Sequence, residues 1–151
     1  MKTDSISNGN ELKVISMNFL AVGIGGILGS LVRYFLGIAL SGCWGSIFPY
    51  GTLAINLAGS LGLSFIVYGS LLKWQLPRPY LLAVTTGFMG SFTTFSTFSG
   101  ELLSLLKQEQ AGLALVYILV SLVAGLTLSW LGIYLAMKLY SRDETAKEQG
   151  A

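Results

Sequence analysis

Four long apolar stretches separated by short polar ones leave this chain one kind of fold. Phe19–Leu40, Gly51–Leu72, Tyr80–Leu106 and Leu113–Met137 each reach the roughly 20 residues that a helix needs to cross a bilayer core. Composition agrees: 53% of the 151 residues are hydrophobic and only 11% are charged, against about 25% charged in an ordinary soluble domain. The sequence predicts an all-α integral membrane protein with four transmembrane helices in one domain, residues 17–140. Residues 1–16 read as a polar N-terminal tail and 141–151 as a charged C-terminal tail, both expected to be disordered. The connections Ser41–Tyr50, Lys73–Pro79 and Lys107–Gly112 are too short for an extramembrane domain. Trp44, Tyr50, Trp74, Tyr80 and Tyr140 stand at the edges, where interface anchors belong.

Several function classes fall away. There is no histidine, and there are no paired carboxylates and no Ser–His or Cys–His pair, which argues against an enzyme. A net charge of +2 is too weak to suggest nucleic acid. The first apolar stretch is long and contains Arg33, unlike a signal-peptide core of about 7–15 apolar residues. That also discounts the lipoprotein-like tetrad Leu40-Ser41-Gly42-Cys43. Cys43 is the lone cysteine, so it offers neither an intrachain disulfide nor a metal cluster.

The third stretch carries the functional signal. Gly87 to Glu101 reads G-F-M-G-S-F-T-T-F-S-T-F-S-G-E, with Thr93, Thr94, Ser96 and Thr97 set among the evenly spaced Phe92, Phe95 and Phe98. A helix that only crossed lipid would be built from Leu, Ile, Val and Ala. Non-helical backbone at membrane depth survives only where protein or a water-filled path covers it. The run predicts a break in the third helix, held open for a ligand or an ion. Phe95 and Phe98 alternate with Ser96 and Thr97, a poor way to build a greasy face. An aromatic ring has a positive edge, so ring edges with hydroxyl and amide donors suit a small anion.

Other polar residues within the spans have two readings each. Thr52 and Asn56 are four apart and share a helix face. The Asn56 amide either bonds a neighbouring helix, the commoner fate of a membrane Asn, or points a donor at a passing anion. Arg33 snorkels to the interface, pairs with a carboxylate, or makes a vestibule positive. Glu101 is the one acidic side chain inside a span, and no partner is evident for it. Rows of small residues at helix-packing spacing (Gly25 and Gly29; Ala54, Ala58 and Gly62; Ser121, Gly125 and Ser129) serve either packing within a subunit or a subunit interface. Four helices give little room to enclose a pore, so assembly is expected.

At these residues the chain resembles the Fluc (CrcB) fluoride channels. The resemblance rests on Gly26-x-x-Gly29-x-x-x-Arg33-Tyr34, on Gly51-Thr52-Leu53-x-x-Asn56-x-x-Gly59, and on Gly87-Phe88-x-Gly90-x-Phe92-Thr93-Thr94-Phe95-Ser96-Thr97-Phe98. It covers about Phe19 to Met137, and the third stretch is the most specific. It implies a passive, fluoride-selective channel of the bacterial plasma membrane that expels cytoplasmic fluoride and lowers its toxicity. It also implies an antiparallel dimer with two pores, each lined by both subunits. Carried over by motif, Phe95 and Phe98 are the phenylalanines whose edges face fluoride, and Asn56 is the pore asparagine. Thr52, Ser96 and Thr97 match neighbouring polar positions, and Tyr117 and Ser121 match the polar side of the fourth span. Gly90 and Thr93 match the positions whose backbone carbonyls, two from each subunit, hold a structural Na+ that is not transported. One turn beyond Ser121 this chain has Gly125 rather than a hydroxyl.

The main alternative is a small proton-coupled exporter of organic cations, also a four-helix dimer. It would want a central acid in its first span, where this chain has Arg33. A membrane assembly factor is a third class, and it would not need the Phe/Ser/Thr run. Loop charge bears on the partner. Lys2, Lys13, Lys73, Arg78, Lys138, Arg142 and Lys147 fall on one side and Lys107 alone on the other. That bias favours cytoplasmic termini. The partner of an antiparallel pair is then either a second copy of this chain or an oppositely oriented homologous subunit.

Overall fold

A computed structural model describes residues 3–43 and 47–140, with side chains described over 12–40 and 47–140. The described residues are helical, with no strand among them. Helix α1 spans Thr3–Cys43 and α2 spans Tyr50–Gly69, which widens into a π-helical turn, Ser70–Trp74. Helix α3 (Arg78–Leu82) runs into a π-helical stretch, Ala83–Met89, and then into α4 (Gly90–Phe92). Helices α5 (Phe95–Lys107) and α6 (Ala111–Tyr140) complete the chain. Three stretches, Leu12–Leu40, Tyr50–Trp74 and Ala111–Tyr140, are each long and apolar enough to cross a membrane. The protein is an all-α membrane protein.

Two features depart from expectation. The polar stretch before the first span reads as disordered in sequence, yet α1 is helical from Thr3. The segment contains no proline, and a helix nucleated in the apolar span extends at the cost of propagation only. The π-helical stretches are the other surprise, because a single inserted residue leaves no periodic trace in sequence. Ser70–Trp74 closes where the Gln75 N–H donates to the Ser70 carbonyl at 3.0 Å, with Gln75 in the left-handed region at φ 41°. Trp44 and the tail 141–151 lie outside the described residues.

Close backbone approach holds α1 against the 83–92 segment. A Cβ on Gly25 would collide with the Ala83 carbonyl oxygen, and one on Gly29 with the Phe88 carbonyl oxygen. Opposite them, a Cβ on Gly87 would lie 2.5 Å from the Val22 carbonyl oxygen. The Gly25/Gly29 row therefore packs within the subunit, where lipid gives no hydrophobic drive and tight contact must supply the attraction. Helix α2 lies on α6 in the same way: a Cβ on Gly132 would meet the Leu61 carbonyl oxygen at 2.5 Å. At one end, Trp74 stacks edge-on to Tyr140 (centroids 5.3 Å) and Phe65 (5.9 Å), clamping the end of α2 to the end of α6. The buried core is small, comprising Ile55, Phe92, Leu105, Ala114, Tyr117 and Ala136. Large apolar side chains such as Phe19, Ile27, Leu126 and Trp130 face outward, as a lipid-facing surface requires.

Candidate functional site

Helical geometry stops after Phe92 and resumes at Phe95. Thr93 (φ −78°, ψ 154°) and Thr94 (φ −144°, ψ 120°) are extended. The side chain of Asn56, on α2, holds the opening by bonding both backbone groups of Thr94. Its Nδ2 donates to the Thr94 carbonyl at 3.0 Å, and its Oδ1 accepts from the Thr94 N–H at 2.8 Å. Thr94 in turn caps α5, its Oγ1 accepting from the Thr97 N–H at 3.2 Å and donating to Thr97 Oγ1 at 3.0 Å. This is a standard N-cap, and a threonine there is well chosen.

Those bonds redirect the donors of the helix ladder. In a continuous helix the Thr94 N–H would bond the Gly90 carbonyl, and the Thr97 N–H would bond the Thr93 carbonyl. Here the first goes to Asn56 and the second to the Thr94 hydroxyl, so the Gly90 and Thr93 carbonyls lose their regular donors. The carbonyl between them, Ser91, is taken by Arg33 Nε at 3.0 Å. Arg33 thus braces the break from α1. Thr93 is pinned by its own N–H (3.0 Å) and hydroxyl (2.9 Å), both donated to the Met89 carbonyl.

Two cavities flank the break, and Thr94 lines both. The first, about 530 Å³, is lined by Arg33, Tyr34, Tyr50, Thr52, Thr97 and Glu101 among others. Glu101 is gripped at both oxygens. Thr52 Oγ1 donates to Oε1 at 2.6 Å, and the Tyr117 hydroxyl donates to Oε2 at 2.8 Å. Tyr117 itself is wholly buried, with its ring 4.7 Å from that of Phe98 and 5.4 Å from that of Phe48. The sequence offers Glu101 no evident partner, because its partners come from two other helices.

The second cavity, about 510 Å³, brings Asn56, Ser60, Thr93, Phe95, Phe98 and Ser121 together. Phe95 is 80% exposed, while Phe98 is half-buried on Tyr117, and their rings lie 6.0 Å apart. Ser121 Oγ is buried and has no hydrogen-bond partner among the described residues. A hydroxyl in that state is a donor without an acceptor, and it lies beside the Asn56 amide and the two rings. Ser96 is exposed, 3.3 Å from the Thr94 hydroxyl. Gly90 is exposed, with open space where a Cβ would stand.

Most of the expected residues thus fall into three groups, while Ser96 lines neither cavity. Asn56, Phe95, Phe98 and Ser121 line the second cavity, Arg33, Thr52 and Thr97 line the first, and Gly90 and Thr93 lie at the break. Tyr117 lines neither cavity; it bonds Glu101 of the first and packs on Phe98 of the second. Sequence reasoning misses two residues, Thr94 and Ser60. Ser60 is visible in sequence as the next member of the row Thr52, Asn56, Ser60, Ser64 at four-residue spacing. Thr94 is recognisable as the cap only once the position of the break is known.

Comparison with known proteins bears on the same residues. The family model described as "CrcB-like protein, Camphor Resistance (CrcB)" matches residues 20–133, which contain every residue of both cavity walls named above. The chain is 47% identical over 116 residues, 77% of its length and 90% of the relative's, to a Geobacillus kaustophilus protein named fluoride-specific ion channel FluC 2. It is 43% identical over 127 residues, 84% of its length and 93% of the relative's, to fluoride-specific ion channel FluC 1 of Bacillus cereus. It is 45% identical over 114 residues, 76% of its length and 92% of the relative's, to fluoride-specific ion channel FluC of Citrifermentans bemidjiense. With the match running from the first apolar helix to the last, this chain belongs to the CrcB family.

Proposed function

We propose that this protein is a fluoride-selective channel of the cell membrane, passive and not an enzyme, through which cytoplasmic fluoride leaves. The observation that carries the reading is the second cavity. The Ser121 hydroxyl, Asn56, Phe95 and Phe98 line it together, on a chain whose relatives are named as fluoride-specific channels. Hydroxyl and amide hydrogens replace water around a small anion, and ring edges add positive charge without a counter-ion. The Asn56 amide does two jobs in this reading. One N–H holds the break, and its second is available to the ion.

The finer architecture is part of the same proposal. The pieces from Arg78 to Lys107 together cross the membrane as a fourth, broken span. A second copy, inserted the opposite way, covers the break. Opened backbone cannot face lipid, and Gly90 and Phe95 are both exposed on the single chain. The donor set for a structural Na+ fits as well. The Gly90 and Thr93 carbonyls have lost their helical donors, and carbonyl oxygens suit a hard cation. Two such carbonyls from each subunit would hold the ion, whose positive charge would tie the two breaks together.

The deciding experiment is fluoride efflux from liposomes that contain only this purified chain. Fluoride release with chloride largely retained is expected. Equal release of both removes the reading, and efflux that needs a proton gradient turns it toward an exporter. Silence of the chain alone, relieved by a co-expressed homologous subunit, replaces the homodimer by a heterodimer.

A further inference from the structure

Helices α2 and α6 run side by side in the same direction, with Ser60 near Gly125 and Ser129, Leu61 against Gly132, and Gly69 against Tyr140. Each shows one row at four-residue spacing to the seam: Thr52, Asn56, Ser60 and Ser64 on α2, and Tyr117, Ser121, Gly125 and Ser129 on α6. The rungs of this ladder differ. Thr52 and Tyr117 close on Glu101, and Asn56 and Ser121 line the second cavity. On the next rung α6 has no side chain, and among the described residues outside that turn of α6 the Ser60 hydroxyl alone lies within 4 Å of the empty Cβ position of Gly125, 3.9 Å away. Ser60 lines the same cavity as Asn56, Phe98 and Ser121.

We propose that Ser60 is a further ion-contacting residue, whose hydroxyl carries the anion path one helical turn beyond Asn56 and Ser121 across the gap left by Gly125. This rests on the channel reading above and deepens it. Without an ion, Ser60 Oγ donates to the Asn56 carbonyl at 3.0 Å. That carbonyl sits inside α2, where the helix ladder supplies a donor of its own, so the side-chain bond is expendable. Rotation about one bond turns the hydroxyl hydrogen into the cavity. Ser64 and Ser129 then lie one rung further along the seam, where Ser129 Oγ is 3.5 Å from the Ser60 carbonyl. A bland role exists for comparison: a mid-helix serine that only back-bonds to its own helix.

The test separates the two roles by moving the hydroxyl to the other helix. Full-length wild type, Ser60→Ala, Ser60→Cys and the double variant Ser60→Ala/Gly125→Ser are reconstituted, and fluoride efflux and thermal unfolding are measured. Loss of one donor to the ion should slow Ser60→Ala roughly tenfold, the worth of about one hydrogen bond to a charge, with little change in unfolding temperature. The Gly125→Ser hydroxyl has open space beside position 60 and should restore most of the flux. Ser60→Cys keeps the volume with a weak donor and should fall between, and it gives the same readout if alanine at 60 does not fold. Unchanged flux in Ser60→Ala and Ser60→Cys overturns the proposal. So does a loss that Gly125→Ser leaves in place, because the hydroxyl would then act only on its own helix. An inert wild type would instead remove the channel reading itself.

Discussion

Asn56 grips Thr94 at both its carbonyl and its N–H, at 3.0 and 2.8 Å across 38 residues of sequence. One amide thus satisfies two backbone groups that a helix would otherwise pair. Asn56→Asp keeps an acceptor for the Thr94 N–H but sets a carboxylate against the Thr94 carbonyl. It should destabilise the fold by about 1–3 kcal/mol, the cost of an unsatisfied buried group, and abolish fluoride flux. Unfolding in detergent and liposome efflux measure the two effects. An Asp variant with wild-type stability and flux would release Asn56 from both roles.

The two rings should separate in their structural cost. Phe98 packs against Tyr117 with the rings tilted, whereas Phe95 is 80% exposed on the single chain. Phe98→Ile should lose about 0.5–1.5 kcal/mol of subunit stability with the aromatic pair, and Phe95→Ile should lose less. Both should cut fluoride flux severely, since the apolar volume stays and the positive edge goes. Wild-type efflux from the folded variants would return both rings to packing.

Sodium is expected to act on assembly. If the Gly90 and Thr93 carbonyls of two subunits hold the ion, it binds only the assembled state and stabilises it by mass action. Dimer dissociation should shift with Na+ concentration, while Li+ and K+ substitute poorly. Indifference of both assembly and flux to replacement of Na+ would remove the ion from this site.

Glu101 binds two donors from two helices, Thr52 at 2.6 Å and Tyr117 at 2.8 Å. Tyr117→Phe and Thr52→Val each remove one hydrogen bond, worth about 0.5–1.5 kcal/mol. Because both act on one carboxylate, the double variant should depart from the sum of the singles, by the coupling of about 0.5–3 kcal/mol seen in shared networks. A strictly additive cycle would show that the three side chains do not act as a unit. Reporter fusions at Ala151 and cysteine crosslinking address the related matter of orientation. The loop charges predict mostly cytoplasmic termini, with an inverted minority if the dimer is antiparallel, and a parallel pair would overturn that architecture.

Sequence alone determined the solvent of this protein and the place of its unusual segment. Lipid demands long apolar helices, and that demand is written in composition and in the length of each span. The Phe/Ser/Thr run from Phe92 to Phe98 is equally legible, because hydroxyls crowded into an apolar stretch have no reason to be there unless the backbone or an ion uses them. Tertiary structure alone decided what each polar side chain does. Asn56 meets Thr94, Arg33 meets the Ser91 carbonyl, and Glu101 meets Thr52 and Tyr117 through contacts between different helices. Residue spacing places a side chain on a helix face but says nothing of which helix it will face. The π-helical stretch Ala83–Met89 lies in close contact with Gly25 and Gly29 of α1, a contact that residue spacing does not reveal. Hydrogen-bond donors in lipid must find partners within the protein, and only the assembled helices determine which partners are near enough.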